Sequence, residues 1–191
     1  MRTIRYGVAA SLDGYIAGPK GEYDWIPMDP DIDFAALMGR FDTFLMGRKS
    51  YEVWSGGGQG TGGVAVWVFS RTLRQEDHPG VTVVGDRVVE RLRELRERPG
   101  KEIALFGGGE LFRSLLELGQ VDAMEIAVVP VLLGGGVALL PSPAVTRRLE
   151  LRSHRVYPKT GTVLLDYAVR PERAEPRGRA RRKGSRARHR T

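Results

Sequence analysis

Short apolar runs alternate along this chain with segments of helical periodicity, and this alternation restricts the fold more than any other feature. The runs that read as strands are residues 3–11, 43–47, 64–70, 81–86, 102–106 and 122–133. Helices are predicted between them, for example over residues 86–98, where Val88, Leu92 and Leu95 recur at helical spacing. Strands joined through single helices need crossover connections, which favour a mainly parallel sheet. The sequence therefore predicts an α/β fold.

Three further local patterns predict a hairpin, a helix cap and a flexible loop. Two alternating segments, 147–157 and 162–170, are separated by Pro-Lys-Thr-Gly, the pattern of an antiparallel hairpin. Near the N-terminus, a long glycine- and proline-containing loop precedes DPDIDFAALMGR, in which we predict that Asp31 caps a short amphipathic helix. A second flexible loop is predicted over the glycine-rich residues 55–63.

The positive charge of the chain is confined to its C-terminal end. Nine Lys and Arg and two Glu lie in residues 171–191, whereas residues 1–170 hold 21 basic and 21 acidic residues. The C-terminal segment contains no aliphatic residue larger than alanine, so it has too little apolar area to offset the entropy of ordering. We expect one folded domain over residues 1–170 and a disordered basic tail over residues 171–191.

Composition excludes several classes of function. The chain has no cysteine, which excludes disulfides, thiol catalysis and cysteine-held metals. His78, His154 and His189 are too scattered to indicate a metal site. No apolar run approaches the roughly 20 residues of a membrane span, and the N-terminus lacks the pattern of an export signal. We therefore expect a cytoplasmic protein.

Three consecutive glycines mark the first candidate site. In LFGGGELFRSLL, Gly107, Gly108 and Gly109 lie between a buried strand and a predicted helix N-terminus. Glycines let a ligand approach the backbone, and free N–H groups and the helix dipole favour negative charge there. The spacing is not that of the common dinucleotide fingerprint, which has a glycine where this chain has Phe112. A phosphate site and a tight turn without ligand both fit the motif.

A second strand-to-helix junction carries positive charge. In FLMGRKSYEVW, Gly47 lies at the turn, and Arg48, Lys49 and Ser50 follow at the predicted helix start. The two cations are either phosphate ligands or ordinary surface residues. Two anion-ready helix starts in one small α/β domain nevertheless match what a dinucleotide requires.

Ser70 and Arg71 follow the strand VAVWVF. An arginine and a serine at the carboxyl end of a strand suit the 2′-phosphate of adenosine, which would select NADPH over NADH. The alternative is a capping serine beside a surface arginine.

Several motifs in sequence order point to one family. AASLDGYIAGPKGEYDW, FDTFLMGRKSYEVW and LFGGGELFRSLLELGQVDAMEIAVVPVLLGGGVALLP precede the closing hairpin. Together they resemble the dihydrofolate-reductase-like superfamily, and within it the reductase domain of the bifunctional riboflavin-biosynthesis deaminase-reductase and its stand-alone relatives. The likeness covers nearly all of residues 1–170. It implies a central mixed, mostly parallel sheet flanked by helices, with a C-terminal antiparallel hairpin.

The resemblance also implies that NADPH lies across the carboxyl ends of the strands. The residues implied to contact the cofactor are Ala9, Ala10, Gly47, Arg48, Lys49, Ser50, Ser70, Arg71, Gly107, Gly108, Gly109, Glu110 and Leu111. The residues implied on the substrate side are Ser11, Asp13 and Trp25. Dihydrofolate reductases also keep one carboxylate at the start of the helix before the MGR motif, and Asp31 has the most similar position, so it is the candidate catalytic residue. Two alternatives stay open: Asp31 only caps the helix, and Asp13 only shapes the turn after the first strand.

The predicted function is NADPH-dependent hydride transfer to a small heterocycle, most like the reduction of 5-amino-6-(5-phosphoribosylamino)uracil in riboflavin biosynthesis. Three alternatives stay open: a dihydrofolate or pteridine reductase, a nucleic-acid-binding protein that acts through the basic tail, and a relative that binds the cofactor without turnover. The tail lacks aromatic residues, so its binding to nucleic acid would be nonspecific and salt-sensitive. The apolar segment PVLLGGGVALLP, where relatives of this fold commonly pair, predicts a homodimer.

Overall fold

The computed structural model describes residues 1–57 and 62–170. The tail predicted over residues 171–191 and the middle of the loop predicted over residues 55–63 lie outside the described residues. Within the described ranges, no helix is both long enough and apolar enough to cross a membrane.

The described part of the chain forms ten strands and four α-helices. The strands are β1 (Ile4–Ser11), β2 (Tyr15–Ala17), β3 (Phe41–Gly47), β4 (Ala65–Phe69), β5 (Thr82–Val84), β6 (Glu102–Phe106), β7 (Ala123–Val129), β8 (Val137–Ala138), β9 (Leu149–Tyr157) and β10 (Thr162–Val169). The helices are α1 (Phe34–Met38), α2 (Arg48–Gly56), α3 (Val88–Glu97) and α4 (Gly109–Glu117).

Eight of these strands form one sheet in the order β5-β4-β3-β6-β1-β7-β10-β9. The pairs from β5 across to β7 are all parallel. The C-terminal hairpin reverses direction, because β10 is antiparallel to both β7 and β9. The predicted α/β fold, with a mostly parallel sheet and an antiparallel C-terminal hairpin, is confirmed.

The largest apolar core fills the space between one face of the sheet and helices α3 and α4. We call this the core face, and it carries Ile4, Tyr6 and Leu105. Helix α3 contributes Leu92 and Leu95, both buried as their helical spacing predicts. Burying a leucine contributes roughly 1.5–3 kcal/mol relative to leaving it exposed. This packing fixes the two crossover helices on the core face.

The opposite face of the sheet is covered over only part of its width. We call it the open face, and helix α2 packs Tyr51 and Trp54 against its β3–β4 part. On β6 and β1, the open face carries Phe106 and Gly7, which are partners in the register. Phe106 is 38% exposed, and a Cβ built on Gly7 would meet no atom within 4 Å. The centre of the open face is therefore accessible beside α2.

The start of helix α1 differs from the prediction. Asp33, not Asp31, is the N-cap, and its Oδ1 accepts the Ala36 N–H at 2.9 Å. The prediction was wrong because the helix begins two residues later, and an aspartate at either position fits the capping pattern.

Two strand predictions also change. The strand predicted over residues 122–133 ends at Val129, because Pro130 has no N–H to donate to the sheet. The segment after it instead forms β8, which pairs with β2 in a separate two-stranded sheet. Neither short strand was predicted, since two or three residues carry too little alternation to be recognised.

Candidate functional site

Both predicted anion-ready helix starts lie at one edge of the sheet. Strands β1, β3, β4 and β6 are parallel, so their carboxyl ends meet at the edge where open α/β sheets bind ligands. Strands β3 and β6 are neighbours, so helices α2 and α4, which follow them directly, begin side by side. The two junctions are therefore parts of one site.

The two junctions touch through Ser50 and the glycines. A Cβ built on Gly107 would lie 3.0 Å from the Ser50 Oγ, and one built on Gly108 would lie 3.3 Å from it. Gly107 and Gly108 have φ values of +74° and +69°, a region that favours glycine. A Cβ on Gly47 would lie 3.9 Å from the Leu111 Cβ. We call Gly47, Ser50, Gly107 and Gly108 the glycine cradle.

The first turns of α2 and α4 present backbone donors at the cradle. Neither helix has a side-chain hydrogen bond at its N-cap, which is Gly47 in α2 and Gly108 in α4. The first N–H groups of a helix have no intrahelical partner and carry the positive end of the dipole. Two such helix starts at one point suit a pyrophosphate.

The remaining residues at the start of α4 have structural contacts of their own. A Cβ on Gly109 would clash with the Ala138 carbonyl oxygen and the Pro141 ring, so this glycine lets β8 and the segment after it pack on the helix. The Glu110 carboxylate accepts a hydrogen bond from Arg113 at 2.8 Å. The cofactor contacts implied for Gly109, Glu110 and Leu111 stay predictions.

The predicted phosphate-facing cations lie at the surface of this edge. Arg48 donates to Glu52, one helical turn further on, at 2.7 Å, and both side chains are about half exposed. Such exposed pairs contribute little to stability, so Arg48 can exchange Glu52 for a phosphate at small cost. The side chains of Lys49 and Arg71 are exposed and make no hydrogen bond or ion pair with another described residue.

Ser70 is a turn residue at the end of β4. Its Oγ accepts the N–H groups of Thr72 at 3.2 Å and Leu73 at 3.1 Å. The structure thus shows the capping role that the sequence left open. A contact between Ser70 and the adenosine end of a cofactor stays a prediction, and Arg71 is the adjacent residue whose charge such a contact would use.

The end of β1 presents alternate residues to the two faces of the sheet. Ala9 pairs with Ala127 of β7 and is half-buried on the open face. Ala10 points to the core face and is 2% exposed. Of these two alanines, Ala9 is therefore the one that a ligand on the open face can reach.

Ser11 and Asp13 form a hydrogen-bonded clamp just beyond β1. The Ser11 hydroxyl donates to Asp13 Oδ1 at 2.6 Å, and Ser11 Oγ accepts the Tyr15 N–H at 2.9 Å. Asp13 Oδ2 accepts the Gly134 N–H at 2.7 Å, and both carboxylate oxygens accept the Leu133 N–H at 3.1 Å. The Ser11 hydrogen bond, followed by these backbone donors, lowers the pKa of Asp13. The clamp fastens β1 to the segment after β7, and the implied substrate contacts of Ser11 and Asp13 stay predictions.

Asp31 lies at the same edge of the sheet, beside the turn between β9 and β10. Its Oδ1 accepts a hydrogen bond from the Lys159 ammonium at 2.8 Å, which raises the pKa of Lys159. The buried Asp29 accepts the Asp31 N–H at 2.9 Å and the Thr160 hydroxyl at 2.8 Å. Burial raises the pKa of Asp29, but these hydrogen bonds and Lys159 outweigh it and lower the pKa. The loop before α1 is therefore fastened to the C-terminal hairpin, and the catalytic role of Asp31 stays a prediction.

Trp25 is half-buried in the loop after β2. Its indole N–H donates to the Glu22 carbonyl at 3.3 Å. Among the described residues, no hydrogen bond or ring contact joins Trp25 to the glycine cradle or to Asp13. The structure thus places Trp25 in its own loop, and its substrate contact stays a prediction.

With this geometry in place, comparison with known proteins identifies the family. Residues 2–163 match the model of the RibD C-terminal domain. The chain belongs to the RibD C-terminal domain family. Members of this family are NADPH-dependent reductases.

Individual relatives agree with this membership. This chain is 32% identical over 182 residues to the uncharacterized protein YyaP of Bacillus subtilis strain 168, with 87% of this chain and 94% of YyaP covered. A putative riboflavin biosynthesis protein from Shewanella sp. PV-4 has 27% identity and a TM-score of 0.76, over 88% of this chain and 99% of that one. Dihydrofolate reductase from Enterococcus faecalis has 16% identity and a TM-score of 0.63, over 88% and 97% of the two chains. The dihydrofolate-reductase-like fold implied by the sequence is confirmed.

Sequence reasoning missed the accessible residues of the open face. Phe106 stacks on Phe44 with ring centroids 5.4 Å apart and an interplanar angle of 14°. Gly7 of β1 lies beside Phe106 of β6. The two-residue period of a strand was the available signal, because it places Arg5, Gly7 and Ala9 on one face.

Five charged side chains form a network on the open face, which we call the ionic cluster. Arg5 donates to Glu102 at 2.7 Å and to Asp166 at 2.5 Å. Arg40 donates to Glu125 at 3.0 Å and lies 3.5 Å from Glu102. Burial raises the pKa of Glu102, but the hydrogen bond and charge of Arg5 outweigh it and lower the pKa. The cluster joins β1, β6, β7 and β10 to the end of the α1 segment.

Proposed function

We propose that this protein is an NADPH-dependent reductase that transfers a hydride to a small heterocyclic substrate. The most similar reaction is the reduction of 5-amino-6-(5-phosphoribosylamino)uracil, which the sequence resemblance implies and which would connect the protein to riboflavin biosynthesis. The observation that carries the proposal is the glycine cradle, where two helix starts without side-chain caps meet at the carboxyl edge of the sheet.

The residues of the cradle fit a dinucleotide phosphate. Gly107 and Gly108 leave open the space beside Ser50 that a Cβ would fill. The first N–H groups of α2 and α4 would hold the pyrophosphate, and Arg48 and Lys49 would add positive charge. When bound, NADPH supplies the hydride, and the protein supplies position and electrostatics.

In this proposal, Arg71 selects NADPH over NADH. Arg71 is exposed at the end of β4, next to the Ser70 turn. Its planar guanidinium can make two parallel hydrogen bonds to a phosphate. Since NADH lacks the 2′-phosphate, a contact there would favour NADPH alone.

The open face beyond the end of β1 is the proposed substrate side. Ala9 and Gly7 give it a floor of small residues, and the Ser11–Asp13 clamp fixes the loop at its edge. Asp31 is the carboxylate proposed to relay a proton to the reduced substrate. General acid–base assistance of this kind typically contributes about 10² to 10⁴ in rate.

The test is a titration of the full-length protein with NADPH and NADH, followed by turnover assays. NADPH oxidation is recorded with 5-amino-6-(5-phosphoribosylamino)uracil, its unphosphorylated form and dihydrofolate. Tight NADPH binding with reduction of an aminouracil supports the proposal. Reduction of dihydrofolate alone would show that the protein is a dihydrofolate reductase instead. Saturable NADPH binding without any turnover would identify a binding relative, and absence of NADPH binding would reject the proposal.

A truncation tests the nucleic-acid alternative separately. The protein without residues 171–191 is compared with the full chain for binding to a polynucleotide at low and high salt. Loss of polynucleotide binding with unchanged NADPH affinity would confine that activity to the tail. Unchanged polynucleotide binding would place it on the folded domain.

We also propose that the protein is a homodimer that uses the segment 130–141. The segment is anchored by Asp13 and by the β2–β8 pairing, yet Leu132 and Val137 are 71% and 41% exposed. Exposed apolar groups on a fixed segment are typical of an interaction surface. Sedimentation at micromolar concentration should show a dimer, and Leu132→Ser should shift it towards monomer. A wild-type monomer at that concentration would contradict the proposal.

A further inference from the structure

The ionic cluster lies within reach of the proposed reaction site. Glu125 pairs with Gly7 in the register, and Gly7 is two residues from Ala9 on the same face. At about 3.3 Å per residue, this separation is roughly 7 Å. Because Gly7 has no side chain and a Cβ there would meet no atom within 4 Å, a ligand beside Ala9 can extend across Gly7 to the cluster.

A cavity of about 330 Å³ adjoins the cluster on the open face. Its lining includes Arg40, Glu125 and Asp166 of the cluster, together with Tyr157 and Leu164 of the hairpin. This volume is at the lower end of the range for small-molecule sites, roughly 300–1,000 Å³. A cavity of this volume can hold one part of a ligand, while the rest of the ligand lies outside the cavity on the open face.

The charges around this cavity do not favour a phosphate. The two guanidinium groups of the cluster already face its three carboxylates, so the five groups together carry one excess negative charge. Arg155 also lines the cavity, but it is exposed and lies over the Tyr157 ring, 4.7 Å from the centroid. With Arg155 included and His154, which also lines the cavity, counted as neutral, the charges add to zero. They therefore leave no excess positive charge for a dianion.

We propose that this cavity binds the end of the substrate remote from the hydride-accepting carbon as an unphosphorylated, hydroxyl-bearing group, such as the far end of a sugar or polyol chain. The inference rests on the proposed reductase function and narrows its substrate class. Hydroxyl groups donate to carboxylates such as Glu125 and Asp166 and accept from guanidinium groups such as Arg40. A phosphate would be repelled by the carboxylates and would find the cluster arginines already paired. The substrate therefore differs from the phosphoribosyl compound of the similar reaction at its phosphate end.

The experiment compares the binding of two compounds that differ only in one phosphate. 5-Amino-6-ribosylaminouracil and its 5′-phosphate are titrated into the full-length protein by calorimetry, with NADP⁺ present. We expect the unphosphorylated compound to bind at least about tenfold more tightly, a difference of about 1.4 kcal/mol. Equal or tighter binding of the phosphate, or no binding of the unphosphorylated compound, would overturn the inference.

Charge-neutralising variants test whether the cluster causes the preference. Asp166→Asn and Glu125→Gln each remove one carboxylate charge, and each should reduce the discrimination against the phosphate severalfold. Glu150→Gln is the matched control, because Glu150 lies on β9 in an exposed pair with Arg170 outside the cavity lining. If both cluster variants fold and keep the wild-type ratio, the cluster does not set the preference and the inference fails. Should one variant misfold, the other carries the test.

Turnover separates this inference from the proposed function. Binding of the unphosphorylated compound with the expected preference, but without NADPH oxidation, would uphold the cavity and reject the reductase. NADPH oxidation with the phosphorylated compound as the better substrate would uphold the reductase and reject the cavity assignment.

Discussion

Gly108→Ala and Gly119→Ala replace positive-φ glycines at the two ends of helix α4. Gly108 and Gly119 have φ values of +69° and +67°, which cost an L-residue roughly 1–3 kcal/mol, and Gly108 also has a ψ of 101°, outside the left-handed helical region. A Cβ on Gly119 would meet no atom within 4 Å, whereas one on Gly108 would lie 3.3 Å from the Ser50 Oγ in the cradle. Both variants should therefore be less stable: Gly119→Ala should lose about 1–2 kcal/mol, with a fall in Tm of roughly 2–8 °C. Gly108→Ala should lose more, because its ψ and the contact with Ser50 add to the cost.

NADPH affinity should separate these two variants. The methyl group at residue 108 would occupy the space through which a phosphate approaches the backbone, so we expect NADPH to bind at least about tenfold more weakly. Gly119→Ala should keep the wild-type affinity. Thermal unfolding measures the stability of each variant, and nicotinamide fluorescence measures binding to the folded proteins. Equal NADPH affinity in the two folded variants would refute a close approach of cofactor and backbone at Gly108.

Three further predictions concern individual side chains. Arg71→Ala should weaken NADPH binding roughly tenfold to a hundredfold and spare NADH, because a charge-assisted phosphate contact typically contributes about 1.5–3 kcal/mol; equal weakening of both cofactors would reject this role. Asp31→Asn should bind NADPH normally and turn over substrate at least about a hundredfold more slowly, whereas near-normal turnover would leave Asp31 only as the partner of Lys159. The wild type should lose stability as the pH falls from about 4 through the lowered pKa of Asp13, because the unfolded chain binds that proton more readily. Thermal unfolding against pH should show a weaker acid dependence in Asp13→Asn, and identical profiles would contradict the role of the clamp.

Local patterns predicted most of the secondary structure because each pattern has a direct physical cause. Leu92 and Leu95 recur at helical spacing, and both are buried under the sheet. The glycines at Gly107 and Gly108 predicted a turn into a helix, and their positive φ values show why glycine is needed there. Asp31 and Asp33 illustrate the limit of such patterns, because either residue fits a helix cap and only the backbone decides between them.

The site itself depends on strand order, which local patterns do not contain. Ser50 and Gly107 meet because β3 and β6 are neighbours, although the chain passes through β4, β5 and α3 between them. The ionic cluster is a stronger case, since Arg5 and Asp166 are 161 positions apart and become partners only when β10 returns beside β7. A charged residue in a predicted strand indicates a solvent-exposed position. The sequence alone therefore does not show that Arg5 and Asp166 belong to one network.

The central claim is that the starts of α2 and α4 together bind NADPH, and amide chemical shifts test it most directly. NADPH is titrated into isotope-labelled full-length protein, and the backbone N–H signals are followed to saturation by NMR. We predict that the largest shifts occur at residues 48–50 and 108–111, with both groups titrating at the same NADPH concentration because they contact one ligand. Saturable binding that shifts only one of these groups, or neither, would contradict the claim.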